Sequence, residues 1–396
     1  MLRNACCAAV LCALPGLQAQ YADVRVGLRS MGEPRAVLVM GDQGPLDVWA
    51  DGKRVAQLAA ADGLVLRAGA HGITGKSLQL AVAAEKSVLL RSPLGRGFRL
   101  QTVDPKGSER VYPGVCELRL RQGRLEMVAT VPLEDYVAGT VQSEAGKGQA
   151  LEYYKLQAVS CRTYALANLR RHAGEGFQVC DGTHCQVFKG RNLQDSIRMA
   201  VEATRDLVAV DPEIRLIHAT FHSNCGGETM NADELWSGTE SYLVSTMDPY
   251  CQHAPHATWS VRIPMARWLG WLHREYGVDT ADANAVAILT DHEPECREIW
   301  LANYGALVPL ERVRREFGLR STWFGMHPEG QELVLQGRGF GHGVGLCQEG
   351  AMEMAREGLN YADILHHYFQ GVHIVDLANL DFFRDADVKQ GLLPRP

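Results

Sequence analysis

Short apolar runs punctuated by turn residues fill the first hundred positions of the chain. VRVGL (24–28), AVLVM (36–40), LDVWA (46–50), LVLRA (64–68) and LQLAV (78–82) are rich in valine and leucine, and Gly, Asp and Pro separate them. That pattern predicts short strands. GVCELRLRQGRLEMVATV (114–131) alternates apolar and polar residues around Gln122-Gly123 and predicts a hairpin. The character changes at Pro132. A proline opening LEDYVAGTV, with Glu134 and Asp135 in the first turn, predicts a helix, and Gly146 and Gly148 interrupt it. This places Glu144 in a short loop between two helices.

The next helix is expected from about Gln149 to His172, stopped by Gly174 and Gly176, with Leu151, Ala158, Ala165 and Leu169 as its apolar stripe. Lys155 and Arg162 are seven residues apart and share a face flanked by Ala158, Val159, Ala165 and Leu166. Two cations in so apolar a setting are half-buried and need partners. Further on, DLVAV and RLIHATFHS predict a hairpin about Asp211-Pro212-Glu213, and ARWLGWLHREYG and LERVRREFG predict amphipathic helices. A strand from about Leu333 leads into a glycine loop ending at Gly345. CQEGAMEMAREG and YADILHHYF close the chain as two helices, and the last twenty residues carry no strong pattern. The fold class is α+β: a mixed-sheet domain with helices at 109–376, preceded by a small β-rich N-terminal unit at 20–108 and followed by a C-terminal tail at 377–396.

Composition adds three constraints. Met1-Leu2-Arg3, the apolar stretch Ala5–Leu17 and the small residue Ala19 are expected to be a signal peptide, residues 1–19. Cys6, Cys7 and Cys12 follow no lipobox, and no later run of about 18 apolar residues could form a transmembrane segment. The expected location is therefore exported, periplasmic or extracellular. With 46 acidic against 40 basic side chains the chain is a poor ligand for nucleic acid. Eight cysteines follow the leader: Cys116, Cys161, Cys180, Cys185, Cys225, Cys251, Cys296 and Cys347. An even count in an exported chain permits disulfides, whose pairing the sequence does not specify.

The candidate chemistry begins with Glu144, an acid followed by a helix face carrying Lys155 and Arg162. An arbitrary glutamate is a cap or a surface charge, but this setting favours function. Burial would raise its pKa for proton donation and the cations would lower it. GRGFGHGVG (337–345) has no βαβ context for a nucleotide, so its glycines imply backbone that passes close to a ligand or bends sharply. His342 within it is either a functional group or a packed histidine bonded to backbone. Arg338 is either a surface cation or a carboxylate clamp. Cys180 and Cys185 bracket His184, with His172 upstream and His222 and Cys225 further on. Thiolates with imidazoles suit a structural zinc, against which stand a disulfide and plain buried cysteines. Cys161 reads as a small core residue. No nucleophile elbow and no HExxH pattern occurs, which disfavours serine or cysteine hydrolases and zincin proteases. One acid without an obvious second fits lytic cleavage of a sugar polymer, whereas common hydrolases use two.

VPLEDYVAGTVQSE (131–144), KLQAVSCRTYAL, THCQVFKG, HSNCGGET and GRGFGHGVGLCQEGA, in order and rough spacing over about 110–375, resemble the stage II sporulation protein D (SpoIID/LytB) family, and VRVGL resembles its opening strand. The resemblance implies a lytic transglycosylase acting on peptidoglycan glycan strands, typically stripped of peptide, with no cofactor required. It puts Glu144 at the catalytic position. Lys155, Gln157, Arg162, Thr163, Tyr164, Ser223, Arg338, His342, Gly343 and Gln348 are its expected substrate-binding residues, together with Gly226 and Gly227. The chain departs from the family pattern at Ser143 and Ala145 around the acid and at Cys161 and Cys225. A rival reading is a non-catalytic wall-binding protein that activates or recruits an amidase as partner. A second rival is a hydrolytic muramidase with Asp135, Asp181, Glu228 or Asp233 as the second acid.

Overall fold

A computed structural model describes residues 23–236, 238, 240–301 and 308–383. The expected leader and residues 384–396 of the tail lie outside them. The architecture is α+β with the strand-rich region first. Two compact units divide the described chain, one made of residues 23–139 and 169–191, the other of 140–168 and 192–383.

The first unit contains β1 (Asp23–Gly27), β2 (Ala36–Gly41), β3 (Leu46–Ala50), β4 (Lys53–Leu58), β5 (Gly63–Ala68), β6 (Ile73–Lys76) and β7 (Ala81–Ala84). It continues with β8 (Ser87–Arg91), β9 (Phe98–Asp104), β10 (Lys106–Tyr112), β11 (Val115–Arg121), β12 (Arg124–Pro132) and β13 (Val179–Cys180). One sheet has the order β13-β1-β12-β11-β8-β3-β4 and the other β10-β9-β2-β5-β6-β7. All pairs in them are antiparallel except β1 with β13. Period-two burial along β3 and β9 puts Leu46, Val48, Phe98 and Leu100 in the core. The β11–β12 hairpin turns at Gln122 (φ 49°) and Gly123 (φ 74°), the left-handed pair that a two-residue hairpin turn requires. The expected strand at LQLAV forms only from Ala81. Ser77 Oγ accepts the amides of Gln79 and Leu80, at 3.2 and 3.0 Å, and that turn leaves Leu78 95 % exposed.

Where β12 ends at Pro132, helix α1 (Leu133–Ala145) begins. It crosses Gly139 without a break and stops before Gly146, whose φ of 72° ends it. Glu144 is therefore in the last turn of α1, a correction to the loop expected for it.

In the second unit α2 (Leu151–Ala167) is shorter than expected. Asn168 ends it, its side-chain amide donating to the Tyr164 carbonyl at 2.8 Å. Burial extends well beyond the expected stripe, and Leu151 is exposed. The reason is that α2 packs on α3 (Asp195–Ala203), β14 (Leu207–Val210), α7 (Gln348–Arg356) and α8 (Tyr361–Tyr368) together. The hairpin expected after β14 reduces to its turn. Asp211 ties back to Arg215 and one bridge joins Val210 to Leu216, but β14 pairs antiparallel with His373–Asp376 near the chain's end. A separate apolar cluster packs α4 (Met265–Tyr276), α5 (Ala283–Thr290) and α6 (Leu310–Phe317) against the sheet of Thr258–Pro264, Glu332–Arg338 and Phe324–Glu329. Trp268, Trp271 and Leu272 lie at its centre. The expected helices at 266–277 and 310–318 are these α4 and α6, each closed by a left-handed glycine, Gly277 and Gly318.

Candidate functional site

Glu144 is half-buried in the last turn of α1. The two glycines that follow give the chain its reversal, and Tyr154 staples it: its hydroxyl donates to the Gly146 carbonyl and accepts from the Gln149 amide, both at 3.2 Å. Gln142 Oε1 accepts the Leu193 amide at 2.7 Å, fixing the same turn from outside. Tyr153 lies beneath, fully buried, its hydroxyl 3.2 Å from Gln157 Nε2. Burial raises the Tyr153 phenol well above its ordinary value, and negative charge on Cys161, Cys347 and Glu144 adds to this. One buried phenol thus sits within electrostatic reach of both the Glu144 turn and Cys347, two residues past the glycine loop.

The structure separates the expected α2 residues by what they touch. Gln157, Arg162 and Thr163 are fully buried. Arg162 Nη1 donates to the Leu207 carbonyl at 3.0 Å, and Thr163 Oγ1 accepts the Ala209 amide at 2.9 Å, so both hold α2 to β14. Lys155 pairs with Glu152 at 2.6 Å and lies 5.9 Å from the Tyr361 ring centroid. Both cations have partners, as their apolar setting requires. Tyr164 is half-buried.

The second group converges on the glycine loop. Strand β15 (Phe221–His222) pairs in parallel with Leu346–Cys347, bringing Ser223 and Gly226 next to the segment 337–348. His342 Nε2 is 3.0 Å from the Phe221 carbonyl, and its Nδ1 accepts the Val344 amide at 3.1 Å. A nitrogen facing a carbonyl must carry hydrogen and one facing an amide must not, so the ring is the neutral Nε2–H form. Burial, opposed by the Phe221 hydrogen bond, lowers its pKa to about 4. Trp236 and His222 pack their rings at 5.5 and 5.3 Å. Gly343 takes φ 85°, and a Cβ there would meet the Arg297 guanidinium at 2.9 Å. Gln348 opens α7, nearly buried, with no hydrogen-bond partner for Nε2. Arg338 is exposed, 5.3 Å over the Trp323 ring.

Arg297 was not legible in the sequence. It stacks on Trp323 at 5.1 Å and donates to the Cys225 and Glu228 carbonyls, while its Nε and Nη1 lie buried with no hydrogen-bond partner. Only position in space connects it to Trp323, Cys225 and Glu228, between 26 and 72 positions away, and no local pattern marks it.

In the first unit His172, Cys180, His184 and Cys185 gather with their ligand atoms within 4.8 Å of one another. Cys185 Sγ is 3.4 Å from His172 Nε2 and 3.7 Å from His184 Nδ1. His172 Nδ1 meets Glu175 at 2.7 Å, which orients the ring and leaves Nε2 toward the sulfur. The hydrogen bond between the two free thiols pulls the Cys180 pKa down to about 4 and pushes that of Cys185 up. Two sulfurs and two imidazole nitrogens at this spacing are the donor set of a tetrahedral zinc. Cys161, by contrast, is buried inside α2, as expected of a core residue.

Residues 121–210 match the family model described as SpoIID, a stage II sporulation protein, and so define the class. The chain is 31 % identical to stage II sporulation protein D of Bacillus amyloliquefaciens over 275 residues, 65 % of this chain and 77 % of that one. It is 28 % identical to the Bacillus subtilis (strain 168) protein of the same name, over 68 % of this chain and 82 % of the relative. The chain belongs to the stage II sporulation protein D family. It is also 24 % identical to the amidase enhancer of Bacillus subtilis, over 59 % of this chain and 39 % of that protein.

Proposed function

We propose that this protein acts at the bacterial cell wall as a lytic transglycosylase that cuts the bond between N-acetylmuramic acid and N-acetylglucosamine. The observation that carries the reading is Glu144, half-buried in the last turn of α1 above the buried Tyr153, on a turn held from two sides. Protonated Glu144 donates to the glycosidic oxygen as the C1–O bond breaks. The muramyl C6 oxygen then bonds to C1 while its proton returns to Glu144, giving a 1,6-anhydro end and consuming no water. Family membership supports it.

The geometry around the four acids offered for a hydrolytic partner also favours this. Asp135 is nine residues before Glu144 on the same helix, about 13 Å along the axis and beyond the spacing of paired carboxylates. Asp181 is fully buried and takes the Ser30 amide at 2.7 Å, with Arg110 at 3.5 Å. Glu228 accepts the Ser245 hydroxyl at 2.6 Å, and Asp233 is exposed on a one-turn helix. His342, neutral and bonded on both nitrogens, shapes the loop and does not transfer the proton. Arg338, exposed over the Trp323 indole, suits the lactyl carboxylate of a muramyl residue.

The chemistry needs no cofactor. Zinc held by His172, Cys180, His184 and Cys185 would brace the segment that carries them, and its removal would cost stability before rate. Export to the wall follows from the same reading, with peptidoglycan strands as partner.

The similarity to an amidase enhancer favours one alternative, a wall-binding protein that stimulates an amidase. Mass analysis of products from peptide-free strands separates the readings. Ends lighter by one water, absent with Glu144→Gln, support the lyase. Reducing ends would replace it with hydrolysis, and no cleavage by folded protein would leave the enhancer reading.

A further inference from the structure

We infer a second metal centre, in the second unit, where Cys225, Cys251, Cys347 and Asp248 surround a site for a divalent cation such as zinc. Their ligand atoms lie within 4.8 Å of one another and all four residues are buried. Cys225 Sγ is 3.4 Å from Cys251 Sγ and 3.2 Å from Asp248 Oδ2. Tetrahedral zinc with bonds of about 2.3 Å to sulfur holds sulfurs roughly 3.7 Å apart, so the ligands need to open by only a few tenths of an ångström.

Three chain segments converge to build it. The pairing of Phe221–His222 with Leu346–Cys347 aligns two of the cysteines, and the Asp248 amide bonded to the Gly227 carbonyl at 2.9 Å brings in the third segment. Asn224 Nδ2 donates to the Cys251 carbonyl at 3.0 Å and locks it there.

The surroundings are those of ligands rather than of packing. The amides of Cys225 and Gly350 point at Cys347 Sγ, at 3.3 and 3.4 Å, and that sulfur caps the start of α7, where negative charge is favoured. Tyr368 donates to Asp248 Oδ2 at 2.9 Å and the Tyr250 amide to Oδ1 at 3.1 Å. Such outer bonds orient first ligands around a metal. Gly350 is what permits the approach, since a Cβ there would meet Asp248 Oδ2 at 2.3 Å. Asp248 has zero exposure and no Lys, Arg or His ion pair among the described residues, a costly state for a carboxylate unless a cation meets it. An odd number of thiols also argues against a disulfide, which would use two and leave the third beside it.

Binding exchanges each coordinating thiol's proton for a metal–sulfur bond and changes no oxidation state. The centre clamps the loop holding Ser223 to the start of α7 holding Gln348. It is independent of the glycan-cleavage reading.

The test is elemental analysis and native mass spectrometry of the full chain purified without reductant or chelator. We expect one zinc equivalent lost in Cys251→Ser and in Cys347→Ser but retained in Cys180→Ser, whatever the first cluster contributes. Should these variants fail to fold, alkylation of the unaltered protein decides: Cys225, Cys251 and Cys347 should resist until a chelator is added and then react together. Zinc content unchanged in folded Cys251→Ser would overturn the centre. So would a Cys225–Cys251 disulfide that survives chelation.

Discussion

Replacing the helical glycine Gly139 by alanine should destabilise the protein, against the ordinary rule for helices. An exposed interior Gly→Ala change gains roughly 0.5–1 kcal/mol, because alanine restricts the unfolded chain and suits the helix. At Gly139 the new methyl would lie 2.2 Å from the Gly190 carbonyl oxygen and 2.5 Å from the Phe188 ring. The first is backbone and cannot rotate away. The second belongs to a fully buried ring packed 5.1 Å from Tyr136 and 5.9 Å from Tyr112. Overpacking of this kind costs about 1–3 kcal/mol and exceeds the propensity gain, so we expect a net loss of about 1–2 kcal/mol. Gly270, in α4, is the internal control: an added Cβ there meets nothing within 4 Å. Gly270→Ala should gain about 0.5–1 kcal/mol. With two compact units the melt need not be two-state, so each variant is read on its own transition by calorimetry, where 1 kcal/mol moves Tm by about 2–4 °C. Equal stabilisation by the two substitutions would refute the reasoning.

Three further outcomes are expected. Glu144→Gln should reduce release of 1,6-anhydro ends by about 10²–10⁴-fold with Tm unchanged; residual cleavage at the parent rate would remove Glu144 from the chemistry. His342 is neutral when folded, with a pKa of about 4, and titrates near 6.5 when unfolded, so the unfolded chain binds more protons between those values. Stability should therefore be full above pH 6.5 and fall by about 2–3 kcal/mol as pH drops to 4, and urea titrations of His342→Gln should show a shallower fall. Cys180→Ser, which disrupts only the cluster of His172, Cys180, His184 and Cys185, should lower the melting transition of the first unit while leaving initial cleavage rates of still-folded protein within about twofold, and a large fall in rate at constant fold would contradict the bracing role.

Local chemistry accounts for what could be read from the sequence. The Gln122-Gly123 turn, the Pro132 helix start and the closing glycines Gly277 and Gly318 each act within a few residues, and each element formed where expected. The His172, Cys180, His184 and Cys185 grouping was also visible, because its ends are only thirteen positions apart. Glu144 joined a helix because the helix runs on to the left-handed Gly146, a boundary one turn later than expected. What else escaped depends on distant partners. The strand expected at 215–223 gives β14 only a bridge and pairs instead, at Phe221–His222, with the distant Leu346–Cys347. The Asp248 cluster needs segments about a hundred positions apart, so no spacing rule could reveal it.

The pairing of Leu207–Val210 with His373–Asp376 also bears on how the chain can be made and cut. Leu207–Val210 waits for residues 373–376, so a nascent chain carries an unmatched edge until they have emerged. A truncation before residue 373 would leave that edge bare and sticky. Expression trials should keep the C-terminal end intact and place affinity tags beyond it.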